Sequence, residues 1–357
     1  MSLIPATILT GFLGAGKTTL LKRILTEAHG QKIAVIENEF GEENIDSDIL
    51  VSDTSEQIIQ MSNGCICCTI REDLRVTLQD LAEKKRKGEL SFDRVVIETT
   101  GLADPGPVAQ TFFMDDEIAE SYLLDSILTL VDAKHAPTQL NDRQEVRRQV
   151  GFADQIFISK SELVSKDALE ALQHRLKHMN PRAPQQTVHF GEVAIKDVFD
   201  LRGFNLNAKL DIDPDFLKVD DHDHAHDHAH HHHAEGEACD HPSHDASHDH
   251  SHGHHHHTDD DVKSFVFKSD RPFDPAKLED FLGAIVNIYG PRMLRYKGVL
   301  YMQGTDRKVI FQGVHQLMGS DLGPAWGPEE HKSSKMVFIG IDLPKDILLQ
   351  GMEQALV

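Results

Sequence analysis

Cys65-Ile66-Cys67-Cys68 holds three of the four cysteines in a chain of 357 residues. Thiolates this close together can converge on one ion from a tight loop, and Gly64 before them eases the turn. Sulfur is a soft donor, so the set favours Zn²⁺, Co²⁺ or Cu(I) over Mg²⁺. A redox pair and small buried side chains are the competing readings of the same thiols. The acidic run Glu37-Asn38-Glu39-Phe40-Gly41-Glu42-Glu43 offers carboxylates that can complete a metal site.

A second chemistry lies upstream. Gly11-Phe12-Leu13-Gly14-Ala15-Gly16-Lys17-Thr18-Thr19 fits the phosphate-loop pattern of two glycines, four intervening residues, then Lys and a hydroxyl. The glycines let backbone N–H groups curl around a β-phosphate, and the positive end of a following helix adds to the cradle. Lys17 is expected to reach the β- and γ-oxygens, and Thr18 to offer its hydroxyl to Mg²⁺. Val95-Val96-Ile97-Glu98-Thr99-Thr100-Gly101 reads as a buried strand ending in a carboxylate. Glu98 then supports Mg²⁺, and the backbone N–H of Gly101 approaches a γ-phosphate. A strand-terminal Glu followed by an N-capping Thr is the alternative. Asp104-Pro105-Gly106-Pro107 is expected to form a rigid turn that ends this loop.

Ser159-Lys160-Ser161-Glu162 is similar to the element with which GTPases read guanine. There an acid accepts hydrogen bonds from N1 and N2 while the Lys stem packs on the base. Ser159 stands for the usual Asn and Glu162 for the usual Asp. Charge and acceptors are kept with one extra methylene, so guanine is favoured with looser discrimination. An exposed Lys/Glu helix start is the competing reading.

The third feature is a tract from His222 to His257. Residues 211–261 hold 13 Asp, 2 Glu and 1 Lys, and 17 of the 24 His. Most of the formal net charge of −22 therefore belongs to a segment. With no apolar periodicity, the tract cannot bury enough surface to fold alone. Neutral imidazole is the commonest metal ligand, and His222, His224, His226, His228 and His230 are expected to hold ions weakly. Such sites do not by themselves choose Zn²⁺ over Ni²⁺ or Cu²⁺. A solubilising linker is the alternative.

These residues need a scaffold. Apolar β-branched runs at Ile4–Leu9, Lys32–Ile36, Arg94–Ile97, Ile127–Val131 and Gln155–Ile158 alternate with helical patterns at Lys17–Ala28, Glu72–Lys87, Arg143–Gly151 and Lys166–Met179. This predicts an α/β fold with a parallel sheet covered by helices on both faces, and ligands at the C-terminal edge of its strands. Gln57–Met61 and Val188–Phe190 are further expected strands. After the tract, a β-α-β-β-β-α order predicts a smaller α+β domain: a strand at Lys263–Lys268, a helix at Pro275–Tyr289, a hairpin of Met293–Met302 with Lys308–Leu317, a strand at Lys335–Ile341 and a helix at Pro344–Leu356. The expected units are 1–205 (phosphate-loop domain), 206–261 (disordered His/Asp linker) and 262–357. Arg292, Arg295, Tyr296 and Lys297 are expected at a client surface or at solvated strand positions, and Trp326 as a loop anchor.

Composition narrows the class. Hydrophobic residues make up 39% and charged ones 26%, as in a globular protein. The strong acidity argues against a nucleic-acid partner. No signal peptide or spanning segment is read, so a cytoplasmic protein without a membrane partner is expected.

Taken in order, Gly11–Thr19, Glu37–Gly41, Gly64–Cys68, Glu98–Pro105 and Ser159–Glu162 resemble the CobW/YjiA-type GTPases, metallochaperones related to HypB and UreG. The similarity extends to Leu294–Gly298 and Met336–Ile341 in the smaller domain. It implies a slow GTPase using GTP and Mg²⁺ that binds Zn²⁺, or Co²⁺ or Ni²⁺, and delivers it to a client metalloprotein. By motif, the resemblance carries the metal ligands to Glu37, Cys67 and Cys68, with Cys65 and Glu42 as further ones. Nucleotide contacts fall on Gly11, Gly14, Ala15, Gly16, Lys17, Thr18, Thr19, Ser159, Lys160 and Glu162, and the catalytic positions on Lys17, Glu98 and Gly101. A nucleotide- or metal-dependent homodimer is also expected. The alternative function is metal buffering by the His tract with a slow regulatory GTPase; a small-molecule kinase is a weaker third.

Overall fold

The computed structural model describes residues 3–26, 30–38, 58–61, 69–204 and 261–357. Glu42, Cys65, Cys67, Cys68 and the tract residues His222, His224, His226, His228 and His230 lie outside them.

The described residues up to Phe204 build one parallel sheet. Its strands are β1 (Ile4–Gly11), β2 (Ile33–Asn38), β3 (Ile58–Met61), β4 (Arg94–Glu98), β5 (Tyr122–Asp132), β6 (Gln155–Ser159) and β7 (Gln185–Val188), in the spatial order β3-β2-β4-β1-β5-β6-β7. The helices are α1 (Lys17–Thr26), α2 (Thr69–Arg86), α3 (Pro105–Met114), α4 (Asp116–Ser121), α5 (Ala136–Asp142), α6 (Gln144–Phe152) and α7 (Lys166–Met179). In α1, Leu20, Leu21, Ile24 and Leu25 form one apolar stripe. It packs on Leu9, Val35, Val96, Leu128 and Phe157, the one-sided pattern expected of a surface helix. The opposite face carries Ile8, Ala34, Val95 and Ile97 against side chains of α2, α3 and α6. Strands covered on both sides need apolar residues at successive positions, which is why they read as continuous runs.

Two expectations change here. Asp104–Pro107 is the start of a helix: Asp104 accepts from the Gly106 N–H at 2.9 Å and Pro105 takes the first helical position, where a missing N–H costs nothing. The strand expected at Val188–Phe190 ends at Val188, and His189–Glu192 closes a tight turn (Glu192 N to His189 O, 2.9 Å).

The second sheet is antiparallel. It contains β8 (Val262–Ser269), β9 (Met293–Leu300), β10 (Arg307–Val314), β11 (Leu317–Ala325) and β12 (Ser334–Ile341), in the order β11-β10-β9-β12-β8. The strand β11, absent from the sequence reading, is largely exposed with few apolar residues, so it lacks the alternation that marks a half-buried strand. Helices α8 (Pro275–Tyr289) and α9 (Lys345–Gln354) cover one face with Leu278, Leu282, Leu348 and Met352. Asp274 caps α8 by accepting from Ala276 N and Lys277 N. The other face joins the core of the parallel-sheet domain through Val262, Leu294, Val337 and Ile339.

That seam also buries charge. Arg295 and Lys297 are two apart on β9, hence on one face. Arg295 donates to both carboxylate oxygens of Asp154 (3.0 and 3.2 Å), and Lys297 Nζ lies 3.6 Å from the same group. The guanidinium also covers the Phe204 ring at 3.9 Å. Arg295 and Lys297 are thus neither a client surface nor solvated strand positions, because the seam encloses them. Tyr296 faces the other way, buried in the core under α8 and α9, where its hydroxyl donates to the Leu317 carbonyl at 2.9 Å. Arg292 bonds the Ile341 carbonyl. Trp326 packs on Val299 and Ile310, consistent with its expected anchoring role. Among the described residues, no helix is long and apolar enough to cross a membrane.

Candidate functional site

The phosphate loop connects β1 to α1. Gly14 and Gly16 take φ of +75° and +102°, values that favour glycine and let the loop fold back on itself. Lys17 is buried and donates from Nζ to the Gly11 carbonyl at 2.9 Å and the Phe12 carbonyl at 3.4 Å. Burial pushes its pKa down, and the Glu98 charge pulls partly against that. An ammonium held on carbonyls in a poorly solvated place gains most when an anion arrives.

Parallel register assembles the acids. Glu98 pairs across the sheet with Leu9 on one side and Glu37 on the other. Glu37 and Glu98 are therefore neighbours at the strand ends, 9% and 8% exposed. Thr18 donates its hydroxyl to Glu98 Oε1 at 3.1 Å. A hydroxyl and a carboxylate are hard oxygen donors, the chemistry Mg²⁺ prefers, so these residues fit that ion. Glu37 is the described member of the expected soft-metal set, at the same edge. Among the described residues, no group of three His, Cys, Asp or Glu side chains is placed to hold a metal.

Gly101 lies against the phosphate loop: a Cβ there would fall 2.5 Å from Leu13 N. Only a residue without a side chain allows this approach. Gln149 of α6 then donates from Nε2 to the carbonyls of Gly101 (3.1 Å) and Ala103 (3.0 Å), and Arg148 donates to Asp104 Oδ2 at 2.6 Å. One helix holds the loop that runs from Glu98 to Asp104. Sequence reading missed Gln149 and Arg148 because polar residues on a helix carry no sign of what lies opposite.

The Ser159–Glu162 segment, expected to read the base, is pinned to the same loop. Ser159 Oγ donates to the Ala15 carbonyl at 2.7 Å, and Lys160 Nζ to the Gly14 carbonyl at 2.8 Å and Asp132 Oδ2 at 2.5 Å. Lys160 has φ +56°. Asp132 also takes His135 Nδ1 at 2.9 Å and two backbone N–H groups. Burial works to raise its pKa, but the bonds from Lys160 and His135 hold it below the usual carboxylate range. Asp132 was unforeseen, although it ends an apolar strand as Glu37 and Glu98 do. Glu162 is exposed at 3.4 Å from His189 Nδ1. The structure thus brings Gly11, Gly14, Ala15, Gly16, Lys17, Thr18, Thr19, Glu37, Glu98, Gly101, Ser159, Lys160 and Glu162 to one edge of the sheet.

Comparison with known proteins follows the same layout. Residues 5–187 match the CobW/HypB/UreG nucleotide-binding domain, and residues 262–356 match the C-terminal domain of the cobalamin synthesis protein cobW. The chain is 39% identical over 346 residues to the zinc chaperone YjiA of Escherichia coli, covering 97% of this chain and 96% of that protein. It is 29% identical over 366 residues to the zinc chaperone CobW of a Sinorhizobium species, covering 95% and 93%. The crystal structure of the Zn(II)-bound YjiA GTPase superposes with a TM-score of 0.74 at 35% identity, covering 99% of both chains.

Proposed function

The chain belongs to the CobW/HypB/UreG family, and from that premise we propose a GTP-hydrolysing metallochaperone that couples hydrolysis to zinc delivery. The observation that carries this reading is the register Leu9–Glu98–Glu37. It sets the Thr18-bonded carboxylate beside the carboxylate expected to ligate zinc, so the nucleotide and metal sites share one sheet edge.

In this reading the residues divide the work. Lys17 leaves the Gly11 and Phe12 carbonyls for the β- and γ-oxygens of GTP. Gly101 brings its N–H to the γ-phosphate, held there by the two bonds from Gln149. Thr18 and Glu98 hold Mg²⁺, which when bound neutralises charge on the phosphates. Glu37, Cys67 and Cys68, with Cys65 and Glu42, hold the zinc cargo. Ser159, Lys160 and Glu162 read the base. Loss of the γ-phosphate frees Gly101, and the loop ending at Glu98 relaxes the neighbouring strand end that carries Glu37. Among the described residues no Gln is placed as a hydrolytic group, in keeping with slow turnover unless a partner or metal assists.

The proposed units are 1–205, 206–261 and 262–357, with the His tract gathering ions for the tighter site by tethering them at high local concentration. The recipient is a client metalloprotein. A cytoplasmic location and a nucleotide- or metal-dependent homodimer belong to the same proposal. The test is zinc affinity by chelator competition with GDP and with a non-hydrolysable GTP analogue, using a Cys67→Ser/Cys68→Ser variant to subtract the tract. Tighter zinc binding with the analogue is expected, together with tighter analogue binding in zinc by the same factor. Equal zinc affinity in the two states overturns the proposal.

A further inference from the structure

The turn after β7 stands beside the base-reading segment without an assigned role. Val188 pairs with Ser159 in neighbouring parallel strands, so His189 and Phe190 leave the sheet next to Lys160. Phe190 and Gly191 have φ of +46° and +75°, and His189 pairs with Glu192 across them. Two central residues with positive φ make a type I′ geometry, for which Asn, Asp and Gly are the favoured residues. A bulky aromatic side chain in that conformation is a backbone outlier. Packing does not repay it, because Phe190 is 76% exposed, its ring meeting the edge of His189 at 4.6 Å.

The turn is nevertheless fixed in place. A Cβ on Gly191 would fall 3.1 Å from Thr19 O and Leu20 Cα, so the turn rests on the first turn of α1. His189 Nδ1 reaches Glu162 at 3.4 Å. The turn therefore lies against both the start of α1, which follows the phosphate loop, and the Lys160–Glu162 segment at the end of the sheet. Strained residues that the fold holds in place collect at ligand sites, and an exposed aromatic face is a stacking platform for any base.

We propose that His189 and Phe190 complete the base site: His189 is a positioning residue that aims the longer side chain of Glu162, and Phe190 covers the face of the base. This rests on the reading of Glu162 as the guanine acceptor. The ligand is a guanine nucleotide. His189 governs which base is chosen, whereas Phe190 governs how tightly any base is held.

The test uses the full chain and measures affinities for GDP, IDP (which lacks the 2-amino group) and ADP, with thermal melts beside them. Glu162→Gln should abolish the preference of GDP over IDP. His189→Ala should lower that preference about fivefold, the scale of one weakened charge-assisted hydrogen bond. The double variant Glu162→Asp/His189→Ala should recover it, because the shorter acid needs no support. Phe190→Asn should weaken all three nucleotides by about fivefold to tenfold while raising the melting temperature, since Asn suits the turn. A purely structural Phe190 would move binding and melting together, or leave binding alone, and either result overturns its part. Unchanged selectivity in His189→Ala, or no recovery in the double variant, overturns the role of His189. Unchanged selectivity in Glu162→Gln instead overturns the base-reading assignment itself, so the two failures are distinct.

Discussion

Lys17 and Arg295 are both cations enclosed by protein, 9% and 4% exposed, yet their surroundings are opposite. Arg295 meets both oxygens of Asp154, the carbonyls of Phe152 and Gly203, and the Phe204 ring. Lys17 rests on two backbone carbonyls, with the charge of Glu98 acting only in part against its burial. Burying a charge costs several kcal/mol unless geometry and hydrogen bonds compensate. In the seam that compensation comes from the protein itself, so the two sheets form a lasting unit. At the phosphate edge it is incomplete until phosphate arrives, which makes that edge responsive to ligand.

The comparison can be broken most directly at Asp154. Asp154→Ala removes the carboxylate that Arg295 meets with both guanidinium nitrogens in the seam, and the expected loss is about 3–5 kcal/mol of folding stability, read as a lowered denaturant midpoint with or without nucleotide. A midpoint near wild type means the seam charges are not held as described.

Lys17→Ala is the matching change at the other site. Its nucleotide-free melting temperature should stay close to wild type, while phosphate release from GTP falls by about 100-fold or more, as for loss of a preorganised charge on the transition state. A large stability loss would show that Lys17, like Arg295, serves the fold.

Gln149→Ala sits between the two regions, on the helix that also packs under the second sheet. Losing both carbonyl bonds to Gly101 and Ala103 should slow hydrolysis about tenfold, the scale of one to two net hydrogen bonds, with GDP affinity unchanged. Equal weakening of GDP and a GTP analogue would mean that the loop is not specific to the γ-phosphate.

The smallest effect is in pH. His315 lies in the seam against Phe152, with Nδ1 bonded to the Gly290 carbonyl and with Asp104 and Arg148 as the nearby charged groups. Burial pushes its pKa below 6.5, partly opposed by Asp104. Its neutral form therefore adds stability that is full above that value and lost as pH falls through the folded-state pKa. Asp261, bonded by Arg147, has a pKa held below 3.8 by that pair against burial. Its contribution is present above the ordinary carboxylate range and lost further down. Urea midpoints from pH 8 to 4 should decline below about pH 6.5, and His315→Gln should remove that first decline while sparing nucleotide binding.

Legibility in the sequence followed the kind of force at work. The phosphate loop was readable because Gly14, Gly16 and Lys17 satisfy local backbone geometry that few other residues permit. The strands were readable because continuous apolar runs match a sheet covered on both faces. The start of α3 was misread, since Asp-Pro-Gly-Pro suits a turn and a capped helix equally well over four residues. Arg295 and Lys297 were misread for a different reason: alternating charge on a strand looks solvated until a partner surface closes over it.

The sequence alone determined the phosphate-loop pattern, the sheet and the kinds of donor atoms the candidate site can offer, because these depend on local conformation and on residue type. Only the tertiary structure decided that Glu37 lies beside Glu98, that Gln149 holds the loop around Gly101, and that His189 reaches Glu162. Those relations join residues 27 to 61 positions apart, and long-range register and packing, which no local pattern encodes, set them.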